Sequence, residues 1–533
     1  MVRRLNWPML FWAGLALIML LRVFYFGFTY FNYLDDNNTY GVFFRRNGDI
    51  WNDIILWYRL YTFRPIAFFA DAYITQWFWP RMELVLLFNT VMTFATLVLF
   101  KEVLKKSGIR FGVAGLVICA LLPLNIEAVY WIGASTRFVP GMFFSVLSCY
   151  VLMKFLDKEY GRRNLVLFLY FFFNLIATGF YEQIVVFNFV FTLIIIALNF
   201  RRLGYDKAIV TAIPFVSLFA ISAHYIFFMG HGERLANRAV MVSSGFISHF
   251  ASTAGSVGRL LVPANLNMLY TGFFGFFSID INILQGLALL LILGFALICG
   301  LSLLSEEAES DGIHIKILVG VLLAAAPFAP FFLLENNFMA FRNVYPSLFG
   351  IAIFIDAVVD ILRRVRVGRL AASTLGAVLC FIFLLAGITE INNYRLIETD
   401  DNIIAENFLE TFRETGFDDT GQIIVLNTRH RFSETSREGF ENISSSDWAF
   451  LGKLNANTDE FYFKNIRPVV AETESFPRDV LTADTLFLGM DSNMNIVTLR
   501  FGSSGRQLYC GLGLPFGELI LEGERYRFTA FGS

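Results

Sequence analysis

Two adjacent carboxylates, Asp35 and Asp36, stand in the sequence NYLDDNNTY directly after the first long apolar block. A carboxylate can accept the proton of an attacking hydroxyl group, as a general base does. Carboxylate oxygens also bind hard divalent cations. Because neighbouring side chains need not converge on one ion, Mg²⁺ or Mn²⁺ is left open as a cofactor without assigned ligands. We predict that Asp35 and Asp36 are catalytic, with a solvated loop or a helix cap as the structural alternative.

Three arginines lie at the ends of later apolar blocks: Arg64 in YTFRPIAFF, Arg137 in STRFVP and Arg342 in AFRNVYP. A guanidinium group pairs bidentately with the oxygens of a phosphate. Ionisable groups at the membrane boundary are functional candidates, so we predict a functional role for these arginines. Two structural alternatives stay open. Arg137 could anchor at the membrane interface by snorkelling, and Arg342 could form an ion pair with Glu335.

Two further carboxylates, Glu127 and Glu182, each have an aromatic residue close by in the sequence, Trp131 and Tyr181. Glu182 stands between two apolar blocks with almost no loop, so we expect a paired or functional role for it. Glu127 could instead cap the segment that follows it. We predict that these four residues support the site. The carboxylates would hold arginines or bind hydroxyl groups of a ligand, and the rings would stack on it.

The elements that must position these residues are membrane helices. Of the 533 residues, 56% are hydrophobic and 16% are charged, whereas about a quarter are charged in soluble domains. The apolar residues form blocks of roughly 18 to 22 residues, long enough to cross a hydrocarbon core as helices. The stretch from about 250 to 275 is ambiguous by this criterion. We predict an all-α bundle of about eleven spans, near residues 8–28, 84–100, 111–124, 140–156, 164–180, 183–200, 208–229, 281–303, 315–334, 344–362 and 370–389.

Lysines and arginines indicate the orientation of these spans. They concentrate near residues 101–110, 154–163, 201–207 and 363–369, which predicts that these loops and the N-terminus are cytoplasmic. The first apolar block is not followed by a small-residue cleavage site, so we expect a retained helix rather than a signal peptide. The candidate residues would then lie at the extracytoplasmic face of a multi-pass plasma-membrane protein.

We predict a membrane domain, residues 1–390, followed by an extracytoplasmic soluble domain, residues 391–533. Residues 29–82 are expected to form the first extracytoplasmic loop, with juxtamembrane helices. Segments such as GQIIVLNTR and DTLFLGMD in the second domain predict an α/β or mostly β fold. The acidic loop near residues 306–311 is expected to be solvated. No long basic run indicates nucleic-acid binding, and no nucleotide-binding glycine motif is present.

The order of these motifs resembles that of the GT-C superfamily of polytopic glycosyltransferases, especially its protein O-mannosyltransferase-like members. That family has one or two acidic residues directly after the first span, where Asp35 and Asp36 stand. Its first loop carries an Arg-Pro pair, to which Arg64-Pro65 is similar, and Glu182 resembles a glutamate that opens its third outer turn. Two longer phrases are also similar in their order of residues, namely Pro123, Glu127, Ala128, Val129, Trp131 and Arg137 in one and Arg342, Tyr345, Pro346 and Ser347 in the other.

The resemblance implies transfer of a sugar from a polyprenyl-phosphate donor to a glycan, lipid or protein acceptor on the extracytoplasmic face. It implies that Asp35 or Asp36 is the base of an inverting reaction, and that the three arginines and Tyr345 bind the donor phosphate. The sequence departs from the family at Asn125, where a histidine is frequent, and in having no tetratricopeptide repeats. The acceptor therefore does not carry over.

Two other functions stay open at this stage. A transporter or lipid-linked sugar flippase would favour charges in the middle of spans and inverted repeats. Asn89 and Asn174 are the main polar residues well inside the predicted spans, and no repeat is visible. A membrane scaffold or receptor would use the C-terminal domain for binding and would tolerate neutral residues in place of Asp35 and Asp36.

Overall fold

The computed structural model of the chain is mainly helical. The residues that it describes are 7–44, 51, 55, 64–79, 81–157, 162–228, 245–307, 312–334, 339–428, 441–470, 475–476, 485–490, 494–501, 508–510, 518–521, 524–527 and 529–530. Parts of the predicted first loop, including residues 45–50 and 56–63, lie outside these ranges, and so does Glu335. The described chain divides into two compact units.

The described helices follow one another from Trp7 to Thr415, and one further α-helix lies among the strands that come after it. The α-helices are α1 (Trp7–Val23), α2 (Asp35–Asn38), α3 (Pro65–Phe78), α4 (Met82–Lys106), α5 (Val113–Leu121), α6 (Ile126–Val129), α7 (Ile132–Leu156), α8 (Arg163–Thr178), α9 (Glu182–Leu198), α10 (Lys207–Phe228), α11 (Phe246–Arg259), α12 (Asn265–Phe276), α13 (Ile283–Ser305), α14 (Ile313–Ala325), α15 (Ala329–Leu333), α16 (Tyr345–Leu362), α17 (Arg366–Thr415) and α18 (Asp447–Asn457). Short 3₁₀ or π segments occur at Thr39–Phe44, Pro123–Asn125, Phe200–Asp206, Leu260–Ala264, Ala326–Phe328, Phe341–Val344 and Ile443–Ser445.

The first unit comprises Met1–Tyr30, Ile54–Ile74 and Pro80–Asn392. Within the described residues, seven helical stretches are long and apolar enough to cross a membrane, namely Met82–Lys106, Ile132–Leu156, Phe200–His224, Ile283–Ser305, Ile313–Leu333, Phe341–Leu362 and Arg366–Thr415. Three shorter apolar helices, α1, α8 and α9, coincide with other predicted spans. The chain is therefore a helical, multi-pass membrane protein, and the count of eleven spans stays a prediction.

The predicted span 111–124 forms only the nine-residue helix α5. Its end follows from Pro123, since a residue before proline avoids the helical region, and Leu122 has an extended ψ of 124°. At about 1.5 Å per residue, α5 is too short to cross a bilayer by itself. The ambiguous stretch near 250–275 is helical, with α11 and α12 joined by a π-type turn that contains Pro263.

The second unit comprises Phe31–Asp53, Thr75–Trp79 and Asn393–Ser533. Its described strands are β1 (Gln422–Thr428), β2 (Asn465–Val470), β3 (Ser475–Phe476), β4 (Thr485–Met490), β5 (Ile496–Phe501), β6 (Leu508–Cys510), β7 (Glu518–Leu521), β8 (Glu524–Arg527) and β9 (Thr529–Ala530). Six of them form a mixed sheet in the order β2-β1-β4-β5-β6-β9, and the others pair as β3-β7-β8. Strand β1 is parallel to both β2 and β4, and α18 lies between β1 and β2 in the sequence.

Helix α17 contributes to both units. Its 50 residues extend about 75 Å at 1.5 Å per residue, more than twice the thickness of a hydrocarbon core. Only its apolar first half, which includes the predicted span 370–389, therefore fits a membrane. The residues from Asn393 onward belong to the second unit and carry most of the acidic side chains of the helix.

Candidate functional site

Most of the predicted arginines and carboxylates of the first unit stand where helices begin, and Arg137 lies in the second turn of α7. Helix α3 starts directly after Arg64, α7 directly after Trp131, α9 at Glu182 and α16 at Tyr345. The first amide N–H groups of a helix have no partner within it and carry partial positive charge. Such helix starts favour anions, so the backbone and the arginines here have the same electrostatic preference.

Arg64 and Glu182 form a two-bond ion pair. The Nε and NH2 groups of Arg64 donate to Oε1 and Oε2 of Glu182, both at 3.1 Å. The guanidinium lies over the ring of Tyr181, 3.7 Å from its centroid, in a cation–π contact. The backbone fixes the same junction, since the Ile66 N–H donates to the Gly179 carbonyl at 3.0 Å. Glu182 and Tyr181 thus orient Arg64.

Arg137 pairs with Asp71, a residue that the sequence analysis did not select. The Arg137 Nε donates to Asp71 Oδ2 at 2.9 Å, and the Thr136 hydroxyl donates to Oδ1 at 2.5 Å. The side chains of Arg137 and Asp71 are only 12% and 7% exposed. Interfacial snorkelling, the alternative considered for Arg137, is therefore wrong. Asp71 could have been noticed as a single carboxylate inside the apolar run of α3.

Arg342 pairs with Glu127. The Arg342 backbone N–H donates to Glu127 Oε2 at 3.0 Å, and its NH1 donates to Oε1. The guanidinium lies 4.9 Å from the centroid of Trp131. The alternative partner Glu335 lies outside the described residues. The Glu127 carboxylate thus connects α6 to the turn that precedes α16.

These three pairs form one group, which we call the arginine cluster: Arg64–Glu182, Arg137–Asp71 and Arg342–Glu127. Helix α7 connects them, because Trp131 precedes its first residue and Arg137 follows about 9 Å further along its axis. The Phe138 ring of the same helix contacts Tyr181 at 4.3 Å between centroids. Each pair combines one guanidinium with one carboxylate, so the two formal charges of each pair cancel.

Tyr345 lies at the start of α16 with 1% of its surface exposed. Its hydroxyl is beside Thr93 but lacks hydrogen-bond geometry with it. The Thr93 hydroxyl donates instead to the Asn89 carbonyl of its own helix, at 2.8 Å. The Tyr345 hydroxyl is therefore a buried polar group without a hydrogen-bond partner among the described residues. It lies three residues after Arg342 in the sequence.

A second group of buried charges was not expected from the sequence. Lys316 Nζ lies 2.7 Å from Oδ2 of Asp356 and 2.7 Å from Oδ2 of Asp360. Arg363 pairs with Asp360 and Glu306, both at 3.4 Å. We call these five residues the lysine network. The expectation of a solvated acidic loop is wrong for Glu306, and Arg363, which was counted among the loop charges, is 2% exposed.

The lysine network joins the ends of four helices. Asp356 accepts the N–H groups of Gly112 at 2.7 Å and Gly115 at 3.2 Å, and so satisfies the start of α5. Asp360 of α16 is 18 residues after Arg342, or roughly 27 Å at 1.5 Å per residue. The arginine cluster and the lysine network are thus separated by nearly the thickness of a hydrocarbon core, which is about 30 Å.

Asp35 and Asp36 belong to the second unit, in the short helix α2. Asp36 is 3% exposed, and its Oδ2 accepts the Tyr33 N–H at 3.0 Å. Asp35 is half-buried. Leu34, directly before them, has a φ of +27°, a strained value for a residue with a branched side chain. The two carboxylates therefore differ in environment. Asp36 is buried against the backbone of its own turn, whereas Asp35 is half-buried.

The segment that carries Asp35 packs on the C-terminal part of the chain, within the second unit. Asn32 donates from its backbone and its side chain to Glu398 Oε1, at 3.0 and 3.1 Å. Gly452 of α18 lies so close to Asn38 that an added Cβ would be 2.4 Å from the Asn38 Cα. Only glycine permits this approach. The first loop and the C-terminal residues are therefore one folded unit at this point.

Three buried titratable side chains, Asp401, Glu398 and Lys453, lie in the same region. Asp401 Oδ1 accepts the Ile443 N–H at 3.0 Å and the Asn442 amide at 3.1 Å. Burial raises the pKa of Asp401 to about 7 and also raises the pKa of Glu398. Burial lowers the pKa of Lys453, whose charge is attracted to both carboxylates. The protonation of Asp401 therefore changes near neutral pH.

Within the described parts of the chain, no group of three or more His, Cys, Asp or Glu side chains is arranged to hold a metal ion. Asp35 and Asp36 are a single adjacent pair. The divalent cation considered from the sequence stays a prediction.

Comparisons of the chain with protein-family models, with curated proteins and with solved structures found no match. The resemblance to the GT-C superfamily therefore rests on the motifs themselves, and the activity that it implies is a proposal.

Proposed function

We propose that the chain is an integral membrane glycosyltransferase that transfers a sugar from a polyprenyl-phosphate donor to an acceptor at the extracytoplasmic face. The arginine cluster is the observation that supports this most. Arg64 and Arg342 directly precede helices and Arg137 lies in the second turn of another, an arrangement that suits a lipid-linked phosphate at headgroup depth. The motif order in the sequence, with the acidic pair directly after the first span, supports the same reaction.

Asp35 is our candidate for the general base. Its half-buried carboxylate differs from that of Asp36, which is buried and accepts a backbone N–H. In the proposed step, Asp35 accepts the proton of the acceptor hydroxyl as its oxygen attacks the anomeric carbon. The bond from that carbon to the phosphate oxygen breaks, and prenyl phosphate leaves with the electron pair. One base suffices for such an inverting displacement.

The arginine cluster would bind the leaving phosphate. In each pair the carboxylate orients the guanidinium, and the planar array of N–H donors on a guanidinium suits the oxygens of a phosphate. The nearby helix starts add positive potential. Trp131 and Tyr181 each have an arginine over the ring. We therefore propose that Trp131 and Tyr181 hold these arginines in place and do not stack on the sugar.

The proposed localisation is the plasma membrane, with the N-terminus in the cytoplasm and the second unit outside. The lysine-rich and arginine-rich loops support this orientation. The acceptor is a glycan, a lipid or a protein. The second unit would hold Asp35 in position, since its residues pack on the acidic segment.

The test is release of free prenyl phosphate by the purified protein in lipid nanodiscs. A panel of prenyl-phosphate sugars, carrying mannose, glucose, galactose or N-acetylglucosamine, is supplied with detergent-solubilised membrane acceptors. We expect release with one donor and loss of release in the double variant Asp35→Asn, Asp36→Asn. The matched control is Asp280→Asn, which changes an exposed carboxylate between α12 and α13.

Two results would contradict the proposal. One is full release by the folded double variant. The other is movement of the intact donor across a vesicle bilayer without release of prenyl phosphate, which would identify a flippase instead.

A further inference from the structure

Arg22 is a buried cation that has no carboxylate partner in the described part of the chain. It lies near the end of α1 and is 2% exposed. Among the described residues, no carboxylate oxygen is within ion-pair distance of its guanidinium. Each arginine of the arginine cluster, by contrast, has its own acidic partner. An unpaired charge in an apolar interior is unfavourable, so its position requires an explanation.

Arg22 makes few hydrogen bonds for its five donors. Its NH1 donates to the Leu121 carbonyl at 3.3 Å, and its buried Nε has no partner in the described chain. Leu121 is the last residue of α5, so this contact alone would make Arg22 a helix cap. One bond of 3.3 Å does not account for a guanidinium buried at this depth.

A second buried polar group is the hydroxyl of Tyr345, which has no hydrogen-bond partner among the described residues. It is near enough to Arg22 for a negative charge at its oxygen to attract the guanidinium. Gly387 provides room for the arginine, since an added Cβ there would lie 3.0 Å from the Arg22 Cδ and 3.6 Å from the Ile126 side chain. Ile126 is next to Glu127 in the sequence, and Tyr345 is three residues after Arg342. The surroundings of Arg22 are therefore close in sequence to one pair of the arginine cluster.

We propose that Arg22 and the Tyr345 hydroxyl form a buried anion site for a phosphate group. The arginine cluster is neutral overall, whereas a phosphate brings negative charge, and Arg22 supplies the positive charge that the pairs do not. The ligand class is a phosphate monoester or diester on a lipid. The choice of a prenyl phosphate as ligand rests on the proposed function, but the anion site itself does not.

The test is ligand-dependent thermal stability of the whole protein in nanodiscs. Prenyl phosphate, phosphatidic acid and inorganic phosphate are added separately to the wild type, to Arg22→Met and to Arg22→Lys. A saturating lipid phosphate should raise the wild-type melting temperature by roughly 3 to 5 °C. Arg22→Met should bind it about 10- to 150-fold more weakly, and Arg22→Lys should keep part of the binding.

The stability without ligand separates this role from helix capping. Removal of an uncompensated buried charge should leave the melting temperature of Arg22→Met unchanged or higher. A cap would predict a lower melting temperature and an unchanged response to ligand, and that result would overturn the proposal. The control Arg259→Met, an exposed cation at the end of α11, should respond like the wild type.

The three ligands distinguish failure of the site from failure of the donor. A shift that depends on Arg22 with phosphatidic acid but not with prenyl phosphate would support the anion site and contradict the proposed donor. An Arg22-dependent shift with inorganic phosphate alone would indicate a site for the free ion and would overturn the lipid assignment. Equal shifts in the wild type and Arg22→Met with every ligand would overturn the site altogether.

Discussion

Replacement of Asp71 by asparagine tests whether the carboxylates of the arginine cluster orient its arginines. The Asp71 carboxylate accepts the Arg137 Nε at 2.9 Å and the Thr136 hydroxyl at 2.5 Å. Asparagine keeps one acceptor oxygen but loses the negative charge. Because the two side chains are only 7% and 12% exposed, solvent screens the pair little. A charge-assisted hydrogen bond of this kind contributes about 1.5–3 kcal/mol.

We therefore expect Asp71→Asn to lower the free energy of unfolding by about 1.5–3 kcal/mol. The KM for the lipid-linked donor should rise by about tenfold or more, with a smaller change in kcat, if Arg137 binds the phosphate equally in the ground and transition states. Chemical unfolding and initial rates of prenyl phosphate release measure the two effects. Thr136→Val, which removes only the hydroxyl, is the matched control and should change KM less.

A double-mutant cycle decides whether the two side chains act together. Asp71→Asn and Arg137→Gln are measured singly and combined, and their coupling should be about 1.5–3 kcal/mol in both stability and kcat/KM. Strictly additive effects would refute the reasoning. Orientation of Arg137 by Asp71 would then not contribute to donor binding.

Three further variants test other parts of the structure. Lys316→Met leaves two buried carboxylates without their shared cation, so the free energy of unfolding should fall by about 3–5 kcal/mol, as measured by thermal unfolding in detergent. Asp401→Asn should remove a pH dependence of the second unit. Since burial raises the pKa of Asp401 to about 7, the stability it contributes is fully present below pH 4 and is lost as the pH rises through 7. Gly452→Ala should displace the Asp35 segment, lower the free energy of unfolding by about 1–3 kcal/mol through overpacking and reduce prenyl phosphate release. The control Gly255→Ala, where an added Cβ meets nothing within 4 Å, should have none of these effects.

Each of these expectations has a contrary result. Unchanged melting of Lys316→Met would mean that its partners are neutral in the fold. Identical pH profiles of the wild type and Asp401→Asn between pH 4 and 8 would mean that Asp401 ionises normally. Wild-type release by Gly452→Ala would separate the packing of α18 from the position of Asp35.

The spans were predictable from the sequence where block length decides the structure, as in α4, α7 and α13. Local chemistry defeated that criterion at α5. Pro123 ends α5 after nine residues although the apolar run continues. The edge strand β2 contains Pro468, which argues against a strand unless it lies at the edge of a sheet, and β2 is indeed at the edge.

The candidate residues were predictable by type, but most of their partners were not. The sequence identified Arg342 and Glu127 separately, yet 215 positions separate them, and only the fold brings them together. Asp71 stayed hidden because its neighbours in the sequence are apolar and its partner is on another helix. Lys316 was overlooked for the same reason, since Asp356 is 40 positions away. Local patterns indicate where helices lie and leave contacts between helices undetermined.

The most direct test of the proposed reaction compares Asp35→Asn with Asp36→Asn in prenyl phosphate release, once the donor panel has identified a substrate. A general base contributes about 10²- to 10⁴-fold to the rate. We predict that Asp35→Asn loses release by a factor in that range while its melting temperature stays near that of the wild type, and that Asp36→Asn mainly loses stability. Wild-type release by folded Asp35→Asn would contradict the assignment of the base and, with it, the proposed mechanism.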